Sequence, residues 1–197
     1  MTSAQITTTV KGHVCIRDSE TGEVLLDKDN AVHNQNMAIA IARGLSNEPQ
    51  SGGVGTYQIY KLELGNGGTS INSMSQITFQ TPNVTGLTAG LYNQTYSEVV
   101  DESISGTPSG NSVTYLASST DTTSTVITSM TIAAGEPSGQ FTTDSPPSPT
   151  PNSTYAFDEL GLFTSDNKLL THIIFSPILK TSNRSLVITY TLTISVS

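Results

Sequence analysis

The chain of 197 residues is long enough for one well-cored domain, whereas two independent domains would each be small. Charged residues make up 12% of it, about half the ~25% of an average soluble domain, while Ser and Thr together number 56, so the surface is mostly hydroxyl and amide. A net charge of −8 without clustered Lys or Arg excludes direct nucleic-acid binding, no run approaches the ~18 apolar residues of a membrane-spanning helix, and the abundance of Val, Ile and Thr sets the chain apart from disordered sequences.

From the N-terminus, no basic stretch followed by an apolar run marks a signal peptide. Residues 12–17 and 23–26 flank Asp18-Ser19-Glu20-Thr21-Gly22 and read as a β-hairpin. Cys15, the single cysteine, excludes an internal disulfide and fits synthesis in a reducing cytoplasm. One helix is expected over 35–43, with Asn34 as N-cap, Gly44 as the stop, and Met37, Ala38, Ile41, Ala42 and Leu45 as its apolar stripe against a sheet. Residues 45–58 read as a loop, and 59–64 as a strand with Tyr60, Leu62 and Leu64 on one face. The run Gly65-Asn66-Gly67-Gly68-Thr69-Ser70 reads as a tight turn whose glycines supply positive φ.

Further strands are expected at 96–100, 112–116 and 125–132, followed by a low-complexity stretch over 135–152. Residues 155–163 and 169–175 form a second hairpin about the turn Thr164-Ser165-Asp166-Asn167-Lys168, and Pro177 interrupts the pattern. The last strand is the strongest local signal, because Leu186, Ile188, Tyr190, Leu192, Ile194 and Val196 alternate with an almost wholly hydroxylic set. With many strands, one helix and no βαβ alternation, the expected fold is all-β, an antiparallel sandwich or barrel with one short helix packed on the sheet. Residues 1–197 are expected to form a single domain in which a loop-rich acidic middle, about 65–154, is inserted between N- and C-terminal core strands. The charge is concentrated there: −1 over 1–61, −10 over 62–167 and +3 over 168–197. Such a middle reads as solvated loops kept from aggregating, or as a surface for a basic partner.

No motif of catalytic specificity emerges. His13 and Cys15 share a strand face, but no second cysteine or clustered histidine stands near them in sequence, so Cys15 is expected as a small buried apolar side chain. His33 and His172 read as structural. Asp158 and Glu159 are adjacent, so regular strand geometry turns them to opposite faces and denies them joint acid–base work, with one expected inward. Asp18, Glu20, Asp27 and Asp29 lack the spacing and terminal Glu of a calcium loop, and Gly65–Gly68 lacks the Lys-Ser/Thr of a phosphate loop. The expectation is therefore a non-enzyme with no catalytic residue, metal site or cofactor.

Three separated segments carry a resemblance. Leu62-Glu63-Leu64-Gly65-Asn66-Gly67-Gly68, then Leu91-Tyr92-Asn93 with Tyr96-Ser97-Glu98-Val99-Val100, then Tyr155-Ala156-Phe157-Asp158-Glu159-Leu160-Gly161-Leu162-Phe163 resemble, in that order, the N-terminal baseplate-attaching region of phage tail-fibre proteins. Asp166-Asn167-Lys168-Leu169-Leu170, Pro177-Ile178-Leu179-Lys180-Thr181 and the strand from Leu186 continue it, and Thr21-Gly22-Glu23-Val24-Leu25 with Asn30-Ala31-Val32 resembles openings of small phage virion proteins. The resemblance touches about three quarters of the chain and implies a virion structural protein made in the host cytoplasm. In the family a long fibre follows the docking domain, whereas this sequence runs to Ser197; the expectation is a tail-associated adaptor of baseplate, collar or fibre attachment, in several symmetric copies. A head decoration protein cementing the capsid is the alternative, and a carbohydrate-binding module ranks last because the chain has no Trp and 6% aromatic residues. The expected partners are other virion structural proteins and further copies of the chain, with contacts at edge strands and along an extended arm marked by Gly135, Pro137, Pro146, Pro147, Pro149 and Asn152.

Overall fold

The computed structural model describes residues 7–46, 58–86, 89–117, 122–137 and 156–197. In chain order its elements are β1 (Thr8–Asp18), β2 (Val24–Asp29), β3 (Ala31–Val32), α1 (Asn34–Ser46), β4 (Ile59–Gly65), β5 (Thr69–Ile71), β6 (Ile77–Phe79) and β7 (Gln94–Val99). They continue with β8 (Ser112–Ala117), β9 (Thr123–Ile132), β10 (Ala156–Thr164), β11 (Leu169–Leu179) and β12 (Leu186–Val196). Among the described residues no helix is long and apolar enough to cross a membrane.

Two five-stranded antiparallel sheets, in the orders β2-β1-β12-β9-β8 and β3-β11-β10-β4-β7, carry the fold, and β5-β6 forms a separate two-stranded hairpin. The alternation of the last strand sets the first sheet. Leu186, Ile188, Tyr190 and Leu192 point inward, and the register places Ile16, Ile188 and Met130 in one row across β1, β12 and β9. The second sheet answers with Leu62, Leu64, Phe157, Leu160, Leu162, Ile173 and Phe175, which join the same hydrophobic cluster. One core between two sheets makes this a sandwich, the first of the two architectures expected. The apolar side of β12 is not uniform in burial, because Val196, at its end, is 42% exposed.

The second sheet is covered twice. All nine residues of β10 are buried, against the first sheet on one side and residues 67–69 and 91–93 on the other. A strand buried on both faces needs no polar alternation, which is why Phe157–Phe163 and Leu169–Phe175 read as near-continuous apolar runs. The stretch over 65–154, expected to be loop-rich, contributes β5 to β9, three of which pair into the main sheets.

Three local expectations change. The helix continues through Gly44 to Ser46, and its N-cap is His33, whose Nδ1 accepts the Asn36 N–H at 3.2 Å, rather than Asn34. Pro177 does not end a strand: β10 and β11 slip out of step between their Phe157–Ile178 and Glu159–Ile174 pairs, and Pro177 sits in the resulting bulge, where its missing N–H breaks no ladder bond. Cys15 is half-buried on the outer face of β1 beside His13, not in the core.

Candidate functional site: a hairpin held by buried carboxylates

The same bulge decides where the adjacent acids go. Regular alternation would turn Asp158 and Glu159 to opposite sides, but the register breaks between Phe157 and Glu159, and both side chains are fully buried at 0% exposure. The sequence leads to the expectation of one of the two inward; through this irregularity both are buried and hydrogen-bonded. Each carboxylate then collects backbone donors from loops that the second sheet would otherwise leave uncovered.

Asp158 binds the root of the β5-β6 hairpin. Its Oδ1 accepts the Gly68 N–H at 2.8 Å, and its Oδ2 accepts the Thr69 N–H at 2.9 Å and the Thr69 hydroxyl. Glu159 binds two loops together. Its Oε1 accepts the N–H groups of Gly67 at 3.1 Å and Asn93 at 2.8 Å, and its Oε2 accepts the Tyr92 N–H at 2.8 Å and His172 Nε2 at 3.1 Å. The Asn83 N–H reaches His172 Nδ1 at 2.9 Å; a backbone N–H can only donate, so Nδ1 carries the lone pair and Nε2 carries the proton given to Glu159.

The electrostatics separates the two acids. Burial acts to raise Glu159, but the bonds from His172, Asn93, Tyr92 and Gly67 outweigh it and hold its pKa below the ordinary value. Burial dominates at Asp158, where the neighbouring Glu159 charge adds to it, and raises its pKa despite the Thr69 and Gly68 bonds. Glu159 is thus the carboxylate that holds its charge, and its four donors are the reason.

Glycine makes the close approach possible. A Cβ on Gly65 would lie 2.4 Å from Glu159 Oε1 and from the Asn93 carbonyl oxygen, and one on Gly67 would lie 2.7 Å from the Asn93 nitrogen. A Cβ on Gly68 would lie 2.8 Å from the Asp158 carbonyl oxygen. None of these three has the positive φ expected of them; among the described residues the left-handed glycines are Gly22, Gly86, Gly106, Gly110 and Gly135. Gly65, Gly67 and Gly68 are required because a Cβ on them would come within 3 Å of β10 or of Tyr92–Asn93, not because the backbone turns there.

Above this clamp the hairpin presents an apolar face. The pairs Thr69–Phe79 and Ile71–Ile77 share one side, and the Ser70 and Thr78 hydroxyls bond to each other on the opposite side at 2.8 Å. The turn is fixed by Asn72, whose Oδ1 accepts the N–H groups of Met74 and Gln76, and by Ser75 at φ 59°. Ile71, Ile77 and Phe79 remain 46–54% exposed, and Met74 at the tip is 72% exposed. Between Glu63 and Glu98 the sequence holds no charged residue and no histidine, so nothing charged rims this face from within its own segment. Sequence reasoning missed the hairpin; its signal was the alternation in Thr69-Ser70-Ile71 and Ile77-Thr78-Phe79 about an Asn-Ser-Met-Ser turn.

The other sites singled out in the sequence are dispersed. His13 meets Asp27 at 2.7 Å on an exposed strand face, apart from the clamp. His33 is occupied at both ring nitrogens, by the Asn36 N–H and the Gly86 carbonyl. Asp18 accepts the Glu20 and Thr21 N–H groups in the first hairpin turn and the Arg184 guanidinium at 2.6 Å. Lys180, 1% exposed, donates to the Ala133 and Thr181 carbonyls; burial, reinforced by Arg184 and opposed by Glu136, lowers its amine to about 8. Among the described residues no three His, Cys, Asp or Glu side chains stand close enough to share a metal ion. Of the expected arm, Gly135 donates its N–H to the Ser182 carbonyl at 2.6 Å and Pro137 is half-buried, whereas Pro146, Pro147, Pro149 and Asn152 lie outside the described residues.

No family model, curated protein or solved structure matches the chain.

Proposed function

We propose that the chain is a non-enzymatic structural component of a tailed-phage virion, and within the particle a tail-associated adaptor of baseplate, collar or fibre attachment. The observation that carries this reading is the clamped hairpin. Two buried carboxylates and a buried histidine, the groups an enzyme would set to work, are spent on positioning an uncharged apolar face at the surface. An isolated two-stranded hairpin is marginal in water, so fixing its root makes it a rigid contact element rather than a loose loop.

The resemblance supplies the assembly. Its three segments, around Gly65–Gly68, Tyr92–Asn93 and Asp158–Glu159, are those whose backbone donors and carboxylates meet in the clamp. The three serve the clamp only together: each is useless for this purpose without the others. The acidic, hydroxyl-rich surface favours a second reading, head decoration, because a cement protein needs a dense polar skin against many capsid subunits.

Quantitative mass spectrometry of purified particles, with immunogold labelling, tests both. Tens of copies or fewer with label on the tail support the adaptor, and hundreds of copies with label over the head support the cement. Absence from purified particles, or turnover of a substrate by the isolated chain, overturns the structural reading.

A further inference from the structure

The clamp encloses an asparagine that can modify itself. Asn66 alone among the asparagines of the sequence precedes a glycine. With no Cβ on Gly67 to obstruct it, the Gly67 nitrogen can approach the side-chain carbonyl carbon of Asn66 and displace ammonia. The bond from Gly67 N to Asn66 Cγ forms and the Cγ–Nδ2 bond breaks, giving a cyclic succinimide, and the proton lost by the Gly67 nitrogen leaves with the ammonia. Water then opens the ring at one carbonyl or the other, leaving aspartate or isoaspartate.

In the folded chain both reacting groups are engaged. Gly67 donates its N–H to Glu159 Oε1 at 3.1 Å, and Asn66 Oδ1 accepts the side-chain amide of Asn93. The Asn66 N–H is held by the Asn93 carbonyl at 3.1 Å, and Asn66 is 1% exposed. To attack, the Gly67 nitrogen must give up its proton, and the resulting negative charge would face the carboxylate of Glu159, which retains its own. The Asn66 side chain must also leave Asn93 to meet that nitrogen. The ring therefore closes only when the loops of the clamp have parted.

We propose that Asn66-Gly67 is a modification site guarded by the clamp, and that its deamidation, which proceeds only while the clamp is open, releases the β5-β6 hairpin irreversibly. The products do not fit back. Isoaspartate routes the main chain through the former side chain and lengthens it by one methylene, between two glycines that already have no room for a Cβ. One on Gly65 would lie 2.4 Å from the Asn93 carbonyl oxygen, and one on Gly67 2.7 Å from the Asn93 nitrogen. Aspartate keeps the main chain but, like isoaspartate, brings a further carboxylate to a cluster in which Asp158 and Glu159 are already fully buried. Opening sets the pace: the folded chain deamidates at the unfolded rate multiplied by the fraction of time the clamp stands open. The same network that holds the apolar hairpin rigid thus limits how long it stays so. This chemistry belongs to the chain itself and does not depend on its place in a particle.

Ageing the full chain in mildly alkaline buffer, native and in denaturant, with peptide mapping by mass spectrometry across residues 66–67, tests it. Deamidation at Asn66 is expected to be at least about tenfold slower in the native chain than in the denatured one. Asn93→Ala removes the side-chain bond to Asn66 but keeps the Asn93 backbone bonds to Glu159 and Asn66, so it should raise the native rate several-fold and leave the denatured rate unchanged. Should that variant fail to fold, dilute urea added to wild type serves instead: the native rate should climb in step with amide exchange at Thr69–Phe79. Product made in denaturant, separated by its extra negative charge and returned to buffer, should exchange those amides at least about tenfold faster than unaged chain carried through the same steps. Equal native and denatured rates, or no reaction at Asn66 in denaturant, overturn the proposal. So does an aged chain whose hairpin is protected like the unaged one, which would mean that the clamp accepts the product.

Discussion

At the scale of single residues, Glu159 shows how a buried charge is tolerated. Its two oxygens receive only donors, from Gly67, Asn93, Tyr92 and His172, so the isosteric Glu159→Gln replacement is not conservative. Whichever way the amide is turned, its NH₂ faces two donors, and a loss of about 3 kcal/mol is expected from chemical denaturation. Amide exchange at Thr69–Phe79 should rise with it; unchanged stability would show that the clamp is idle. Asp18 works by a different balance. The Thr21 N–H first, then the Arg184 guanidinium, hold its pKa at about 2 against an ordinary 3.8, despite opposition from burial. The folded form thus binds this proton less tightly than the unfolded chain, so the stabilisation is full above the ordinary value and is lost as pH falls through about 2. Asp18→Asn should melt below wild type at neutral pH, with the gap closing towards pH 2; a gap independent of pH would point to packing instead.

At the scale of elements, two glycines without a left-handed φ have opposite roles. Gly44 lies inside α1 with open space around its missing Cβ and no positive φ, so Gly44→Ala should stabilise the protein by about 0.5–1 kcal/mol through helix propensity. Gly67→Ala would drive a methyl against Tyr92 and Asn93 at 2.7 Å, and should destabilise by roughly 1–3 kcal/mol. Opposite signs in paired denaturation curves are the expected result, and equal signs would mean that propensity governs both. Helix termination illustrates the same point: Gly44 reads as a stop in isolation, but without a left-handed φ it continues the helix to Ser46, whose hydroxyl donates back to the Arg43 carbonyl at 3.1 Å.

At the scale of the whole molecule, one core joins the two sheets, and β12 lies at the centre of the first. Ile188 sits between Ile16 and Met130 in that sheet, fully buried. Ile188→Ala should cost about 2–5 kcal/mol. The loss should appear as one earlier transition seen alike by near- and far-ultraviolet circular dichroism, since the sheets cannot separate without exposing the shared core. Two separate transitions would show that the sheets fold as independent units.

Local pattern carried the strands that face water on one side: the hydroxyl alternation of β12, the first hairpin about Asp18–Gly22, and β8 and β9 with their approximate limits were legible because period two survives wherever one face is wet. The all-β class and the single helix followed from the same signals. Tertiary structure alone decided the rest. The burial of both Asp158 and Glu159, the reason for Gly65, Gly67 and Gly68, and the hairpin they hold depend on contacts between segments about 25 to 90 residues apart, made through a bulge that breaks the strand rule. A sequence displays the donors and acceptors of such a cluster, but only the folded chain brings them within bonding distance.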